Sequence, residues 1–217
     1  MFIGHFGVGF GAKRAAPGTS LGTLFLSAQF IDLLWPTLLL AGVERVEIRP
    51  GVTRVTPLDF VSYPISHSLA LVLCWGLLFG ITYWLLRRYR AGALITAAAV
   101  ISHWFLDAIV HRPDLPLAPG VATKVGLGLW SSLGATLAIE TVVFAIGVFI
   151  YVRCTVPLDG IGRYGTVALV LLLLVIYAAN IAGPPPPSTR AIAWAGHAQW
   201  LLVLFGYWVD RHRRVEV

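Results

Sequence analysis

Six apolar runs, each long enough to cross a bilayer as a helix, take up most of this chain: about 21–42, 66–87, 92–111, 131–152, 166–183 and 191–209. They are continuous rather than alternating, which excludes the pattern of a closed β-barrel. Breakers stand between them: "RPGVTRVTP", "RRYRAG", "HRPDLPLAPG", "VPLDGIGRYG" and "GPPPPSTR". With 58% of 217 residues hydrophobic and only 12% charged, a soluble globular class is excluded too. The expectation is an all-α fold, a polytopic transmembrane helical bundle of about six spans forming a single domain over 1–217. The glycine-rich "FIGHFGVGFGAK" is expected as an N-terminal re-entrant half-helix.

The formal net charge of +6 does not point to nucleic acid, because the Lys and Arg residues sit in short loops where they set topology. Lys13, Arg14, Arg87, Arg88, Arg90, Arg153, Arg163, Arg211, Arg213 and Arg214 fall on the N-terminal side of a six-span arrangement. Arg45, Arg49, Arg54, Arg112, Lys124 and Arg190 fall on the other. The positive-inside rule then expects both termini in the cytoplasm and the 43–65 and 112–130 loops outside. Lys13 and Arg14 follow the first apolar stretch instead of preceding it, so a cleaved secretory signal is not expected. Cys74 and Cys154 lack a CxxC or CxxH partner and are expected as buried small hydrophobes.

Ionisable residues at membrane depth are the exception to this apolar background: Asp32 in "FIDLLWP", His67 in "YPISHS", His103 and Asp107 in "SHWFLD", and Glu140 in "LAIETVV". A central Asp costs about 2.5–3.5 kcal/mol on insertion scales, so each such group is expected to face the bundle interior and meet a partner. At about 100° per residue, His103 and Asp107 lie on one helix face, and His111 falls about 40° from His103. One such pair alone reads as hydrogen-bonded helix packing. With Asp32, Glu140 and His67 on other spans, the set reads instead as oxygen and nitrogen ligands for a divalent metal: zinc, manganese or magnesium. Pro36 removes the backbone donor for the Asp32 carbonyl and is expected to loosen the helix there. Ser66, Ser68 and Ser102 each adjoin a His, but neighbours on a helix point about 100° apart, which argues against a Ser-His-Asp reading.

The order "GH" at 4–5, Asp32, "SHS" at 66–68 and "SHWFLD" at 102–107 resembles the membrane-bound metal-dependent hydrolases of the YdjM-like group. More distantly, it is similar to zinc-dependent phospholipase C and the single-strand-specific zinc nucleases. The motifs cover residues 1–112, with span pattern to 152; the spans at 166–209 lie outside the resemblance. It implies a zinc site on a helical bundle, with His103 and Asp107 as the H-x3-D step and His5, Asp32 and His67 as further ligands. Thr136 stands where the phospholipases' later H-x3-E step has its His before the acid, here Glu140. The "HRGxTHS" block is split between 66–68 and 111–112. Both departures favour one or two metals over three.

The function expected from these residues is an integral membrane metal-dependent hydrolase of a phosphoester in a lipid or lipid-linked substrate. Asp107 and Asp32 would serve a metal-activated water, and His111 and Arg112 would receive the substrate headgroup. The bacterial inner membrane is the expected location. A small proton- or cation-coupled transporter using the same Asp, His and Glu residues is the alternative, and a non-enzymatic assembly protein a third.

Overall fold

The computed structural model describes residues 1–216. Among the described residues nine α-helices carry the fold: α1 (Ile3–Ala15), α2 (Leu21–Ala28), α3 (Phe30–Leu40), the short α4 (Pro64–His67), α5 (Leu69–Arg87), α6 (Arg90–Val110), α7 (Leu133–Cys154), α8 (Thr166–Ala182) and α9 (Thr189–Arg211). It is an all-α helical bundle. Four segments are long and apolar enough to cross a membrane: α5, α6, α7 and Ile161–Ala182, with window hydropathies of 1.8 to 2.3. The α2–α3 pair makes a fifth if it is one broken span. Large apolar side chains on the outer faces fit a lipid surround: Leu86 is 76% and Leu201 67% exposed.

Two details differ from the six-span expectation. The segment at 191–209 is helical as α9 but is not among those apolar enough to span; His197 and Gln199 interrupt its apolar run. The run at 21–42 is bent by 54° at Gln29, ahead of Pro36. The cause lies in a backbone bond taken elsewhere: the Ala28 carbonyl accepts from His103 Nδ1 at 2.9 Å, and Gln29 turns the chain with φ −99° and ψ 3°. Pro36 sits inside α3 and packs against α9, where its ring lies so close to Gly196 that an added Cβ would fall 2.5 Å from Pro36 Cγ. Cys154 is buried as expected, whereas Cys74 lies exposed on the outer face of α5.

The N-terminal half-helix is the buried centre of the bundle. Ile3, His5, Phe6 and Phe10 of α1 are almost wholly covered. α1 crosses α7 at backbone contact, since a Cβ on Gly147 would lie 1.9 Å from the Gly7 carbonyl oxygen. Small residues permit that approach between membrane helices. Phe6, Phe10, Phe25, Phe144 and Tyr151 fill the space around it.

Short antiparallel ribbons close the two ends. At one end, β1 (Arg45–Ile48) pairs with β2 (Leu58–Ser62), and β3 (Leu115–Pro116) with β4 (Lys124–Val125). The 43–65 and 112–130 loops meet there, as Arg54 N donates to Trp130 O at 2.9 Å. At the other, β5 (Thr155–Pro157) pairs with β6 (Arg213–Val215). α1 runs from the first end toward the second, so its two termini sit in different chemical settings.

Candidate metal centre

Four helices bring their ionisable residues to one point under the β1–β4 end. α6 supplies His103 and Asp107, both facing inward, and ends at His111, whose backbone N donates to Asp107 O at 2.8 Å. α1 supplies His5, whose ring stacks on His103 with centroids 3.7 Å apart and planes 6° from parallel. α3 supplies Asp32 and α4 supplies His67. His103 Nε2 lies 3.2 Å from Asp107 Oδ2 and 3.5 Å from Asp32 Oδ1. His67 Nε2 lies 3.6 Å from Asp32 Oδ1 and 3.8 Å from Asp107 Oδ2. His5 Nε2 is 3.1 Å from Asp107 Oδ1, which the Met1 α-amino group also meets at 2.5 Å. His5, His103 and Asp107 form one group of converging ligand atoms, and Asp32, His67 and His103 a second that shares His103.

In His67, His103 and His111 the opposite nitrogen fixes what faces the centre, whereas His5 Nδ1 is buried without a hydrogen-bond partner among the described residues. His103 Nδ1 meets a backbone carbonyl, which only accepts, so Nδ1 carries the proton and Nε2 of the neutral ring a bare lone pair. That Nε2 is buried and has no hydrogen-bond partner. His111 Nδ1 lies 3.0 Å from Asp114 Oδ1, an arrangement that likewise protonates Nδ1 and turns Nε2 toward Asp107, 3.9 Å away. His67 Nδ1 lies 2.7 Å from Ser66 Oγ. Ser66 Oγ donates to Glu44 Oε2 at 2.6 Å, while Glu44 Oε1 accepts from the backbone N of Ile65 and of Ser66, both at 2.8 Å. With its one proton given to Glu44, Ser66 accepts from His67 Nδ1, and His67 Nε2 is left bare as well. Bare lone pairs aimed at carboxylate oxygens repel unless positive charge lies between them. Histidines held this way by carbonyl or carboxylate partners are the usual form of metal ligands, and the donor set, oxygen and nitrogen without thiolate, fits zinc or manganese.

The rim is polar and partly open. Asp32 is the most accessible member, its side chain 23% exposed, and its Oδ2 has no hydrogen-bond partner among the described residues. His111 is enclosed by Trp130 and Phe60, with ring centroids 4.2 and 4.8 Å away. Burial pushes its imidazolium down, against the upward pull of Asp114 and Asp107. Burial would raise the Asp114 carboxyl, but hydrogen bonds from His111, Tyr63 and Arg112 hold it below the usual carboxylate range. Arg112 donates to Asp59 and, at 3.1 Å, to Asp114 Oδ2. It lines a cavity of about 480 Å3 with Arg49, Asp59, Asp114 and Lys124.

Glu140 meets the start of α1 and not the converging imidazoles. Buried on α7, it accepts from the Phe2 backbone N at 2.8 Å, at the start of α1, and belongs to neither converging set. His197 lies against Trp194, away from the centre. Glu44, Tyr63 and Asp114 are polar residues that sequence reasoning passed over, and Ser66 one that it set aside. The Ser66–His67 bond corrects the expectation drawn from helical geometry: α4 is a single turn ending at Ser68, where ψ is 139°, so long-helix directions do not hold. Comparison with protein-family models, with curated proteins and with solved structures finds no match to this chain.

Proposed function

We propose that this chain is an integral membrane hydrolase that uses a divalent metal, zinc before manganese or magnesium, to cleave a phosphoester in a lipid or lipid-linked substrate. The observation that carries the reading is the set of imidazoles on α4 and α6, each tied at Nδ1 and bare at Nε2, converging on Asp32 and Asp107. When bound, such a metal brings water toward neutral ionisation and polarises the oxygen of an ester. His5, His67, His103, Asp32 and Asp107 would hold it; the single Nε2 lone pair of His103 would serve one ion, so the two groups that overlap at His103 would be parts of one site.

The remaining work falls to groups of the chain. Asp107, buried and fully surrounded, orients the imidazoles. Asp32, partly open and with Oδ2 free, takes the proton from attacking water and returns it to the leaving oxygen. Arg112 gives Nε and one Nη2 bond to Asp114 and Asp59, which leaves Nη1 to meet an anionic headgroup beside His111. The Lys and Arg bias supports an orientation with the β5–β6 end in the cytoplasm and the centre toward the outer half; the location that goes with this reading is a bacterial inner membrane.

The test is turnover by the purified chain on phospholipid and polyprenyl-linked phosphoesters, with and without added zinc after chelation. Metal-restored product release is expected, and it is lost in His103→Ala and Asp107→Ala. Phosphoester cleavage that persists in either variant overturns the reading, and proton or cation flux in vesicles without cleavage favours a carrier instead.

A further inference from the structure

A cavity of about 600 Å3 lies on the bilayer side of the bundle, between α5 and the pair formed by α2 and α9, apart from the metal centre. Its two ends differ in chemistry. Phe30, Trp75 and Phe79 close one end, the Phe30 ring standing 5.8 Å from Trp75 and 5.6 Å from Phe79. Ser20, Tyr83 and Arg87 stand at the other. The hydroxyls there are already matched within the protein: Thr19 with Tyr83 at 2.9 Å and Thr23 with Tyr207 at 2.8 Å. Arg87 is not matched. Lys13 meets Asp210, and Arg49 and Arg112 meet Asp59, but among the described residues no carboxylate lies within ion-pair distance of Arg87. Its neighbour Arg88 lies over the Trp84 ring, 5.1 Å from the centroid.

The groove therefore runs along a membrane-length apolar helix, is apolar for most of its length, and ends at a guanidinium without an ion-pair partner among the described residues. Trp75 and Arg87 are about 18 Å apart along α5 at the helical rise, a span suited to an extended hydrocarbon chain. An aqueous small molecule would leave the aromatic end unsatisfied, and a helix of a second copy would bury Arg87 without an acid. We propose that the groove holds one acyl chain of an anionic phospholipid, with the phosphate at Arg87 and the chain running to Phe30 and Trp75. This lipid is bound rather than cleaved, since its headgroup lies at the far end from Asp32 and His67. It also braces the centre: Trp75 Nε1 donates to Ile65 O at 3.0 Å, in the turn that carries His67, and Phe30 opens the helix that carries Asp32.

The test is thermal unfolding of the purified full chain in detergent, titrated with dioleoyl phosphatidylglycerol or dioleoyl phosphatidylcholine. The anionic lipid is expected to stabilise at a roughly fivefold lower concentration, the worth of one basic residue near an anionic group. Arg87→Gln removes that preference, whereas Arg90→Gln, outside the groove, keeps it. Leu78→Trp, at an exposed position on the groove wall, leaves unfolding without lipid unchanged but weakens the response to both lipids. Equal responses of the unaltered protein to the two lipids, or a preference that survives Arg87→Gln, overturn the headgroup assignment. An undiminished response to both lipids in Leu78→Trp means binding outside the groove and overturns it.

Discussion

α1 carries a buried ionisable side chain at each end, and the two are satisfied in opposite ways. At the β5–β6 end, Lys13 Nζ donates to Asp210 Oδ2 at 2.7 Å and to Thr19 O at 3.0 Å. Asp210 also accepts from Leu21 N at 3.0 Å and from the Tyr151 hydroxyl at 3.1 Å. Donors and acceptors match, so nothing further is required of this cluster than to hold α1, α2, α7 and α9 together. At the other end, His5 stacks on His103, and the bare nitrogens of His67, His103 and His111 face two carboxylates. The Met1 α-amino group meets Asp107 there and leaves Asp32 to the imidazoles alone. A buried polar cluster that balances internally is a clamp; one in which several imidazoles converge on two carboxylates, with the Met1 α-amino group meeting only Asp107, is suited to a cation.

The contrast is broken most severely at His103, which belongs to both converging groups. His103→Ala is expected to abolish metal binding while the bundle still folds, as measured by metal content beside gel filtration and circular dichroism. Lys13→Met should give the converse. It leaves Asp210 buried without its cation and lowers stability by about 3–5 kcal/mol, yet metal content stays at the unaltered level. Thermal unfolding and metal analysis on the same sample separate the two variants.

Subtler changes sharpen the comparison. Glu44→Gln keeps the volume but weakens the chain from Glu44 through Ser66 that fixes the His67 ring, and should lower metal affinity about 10–100-fold without unfolding the protein. Equilibrium dialysis against a competing chelator reads that change. The smallest effect concerns acid stability. Because Asp114 is held below its ordinary range, its stabilisation is complete above the carboxylate pKa of the unfolded chain and is lost as the pH falls through the lower folded value. Asp114→Asn should therefore flatten the acid limb of an unfolding profile and leave the neutral region sloped as before.

Much of this architecture is legible in the sequence because membrane helices declare themselves by long apolar runs. The runs at 66–87, 92–111, 131–152 and 166–183 correspond to α5, α6, α7 and α8, with ends differing by a few residues. The bend at Gln29 was not legible, since it depends on His103 capturing the Ala28 carbonyl from 75 residues away. On the site, His103 and Asp107 could be paired by spacing alone, and the cost of burying charge gave Asp32 and His67 a reason to join them. Glu140 met the same cost differently, by accepting a backbone N–H at the start of α1. Glu44 carried no signal: it stands in a loop without periodicity, and only the folding of α4 against it brings its carboxylate to Ser66.

The most direct measurement is the metal content of the purified full chain, read by elemental mass spectrometry beside the Lys13→Met and His103→Ala variants. A cation centre at one end of α1 and a self-satisfied clamp at the other predict stoichiometric metal in the unaltered protein and in Lys13→Met, and none in His103→Ala. The same metal content in His103→Ala as in the unaltered protein would contradict it.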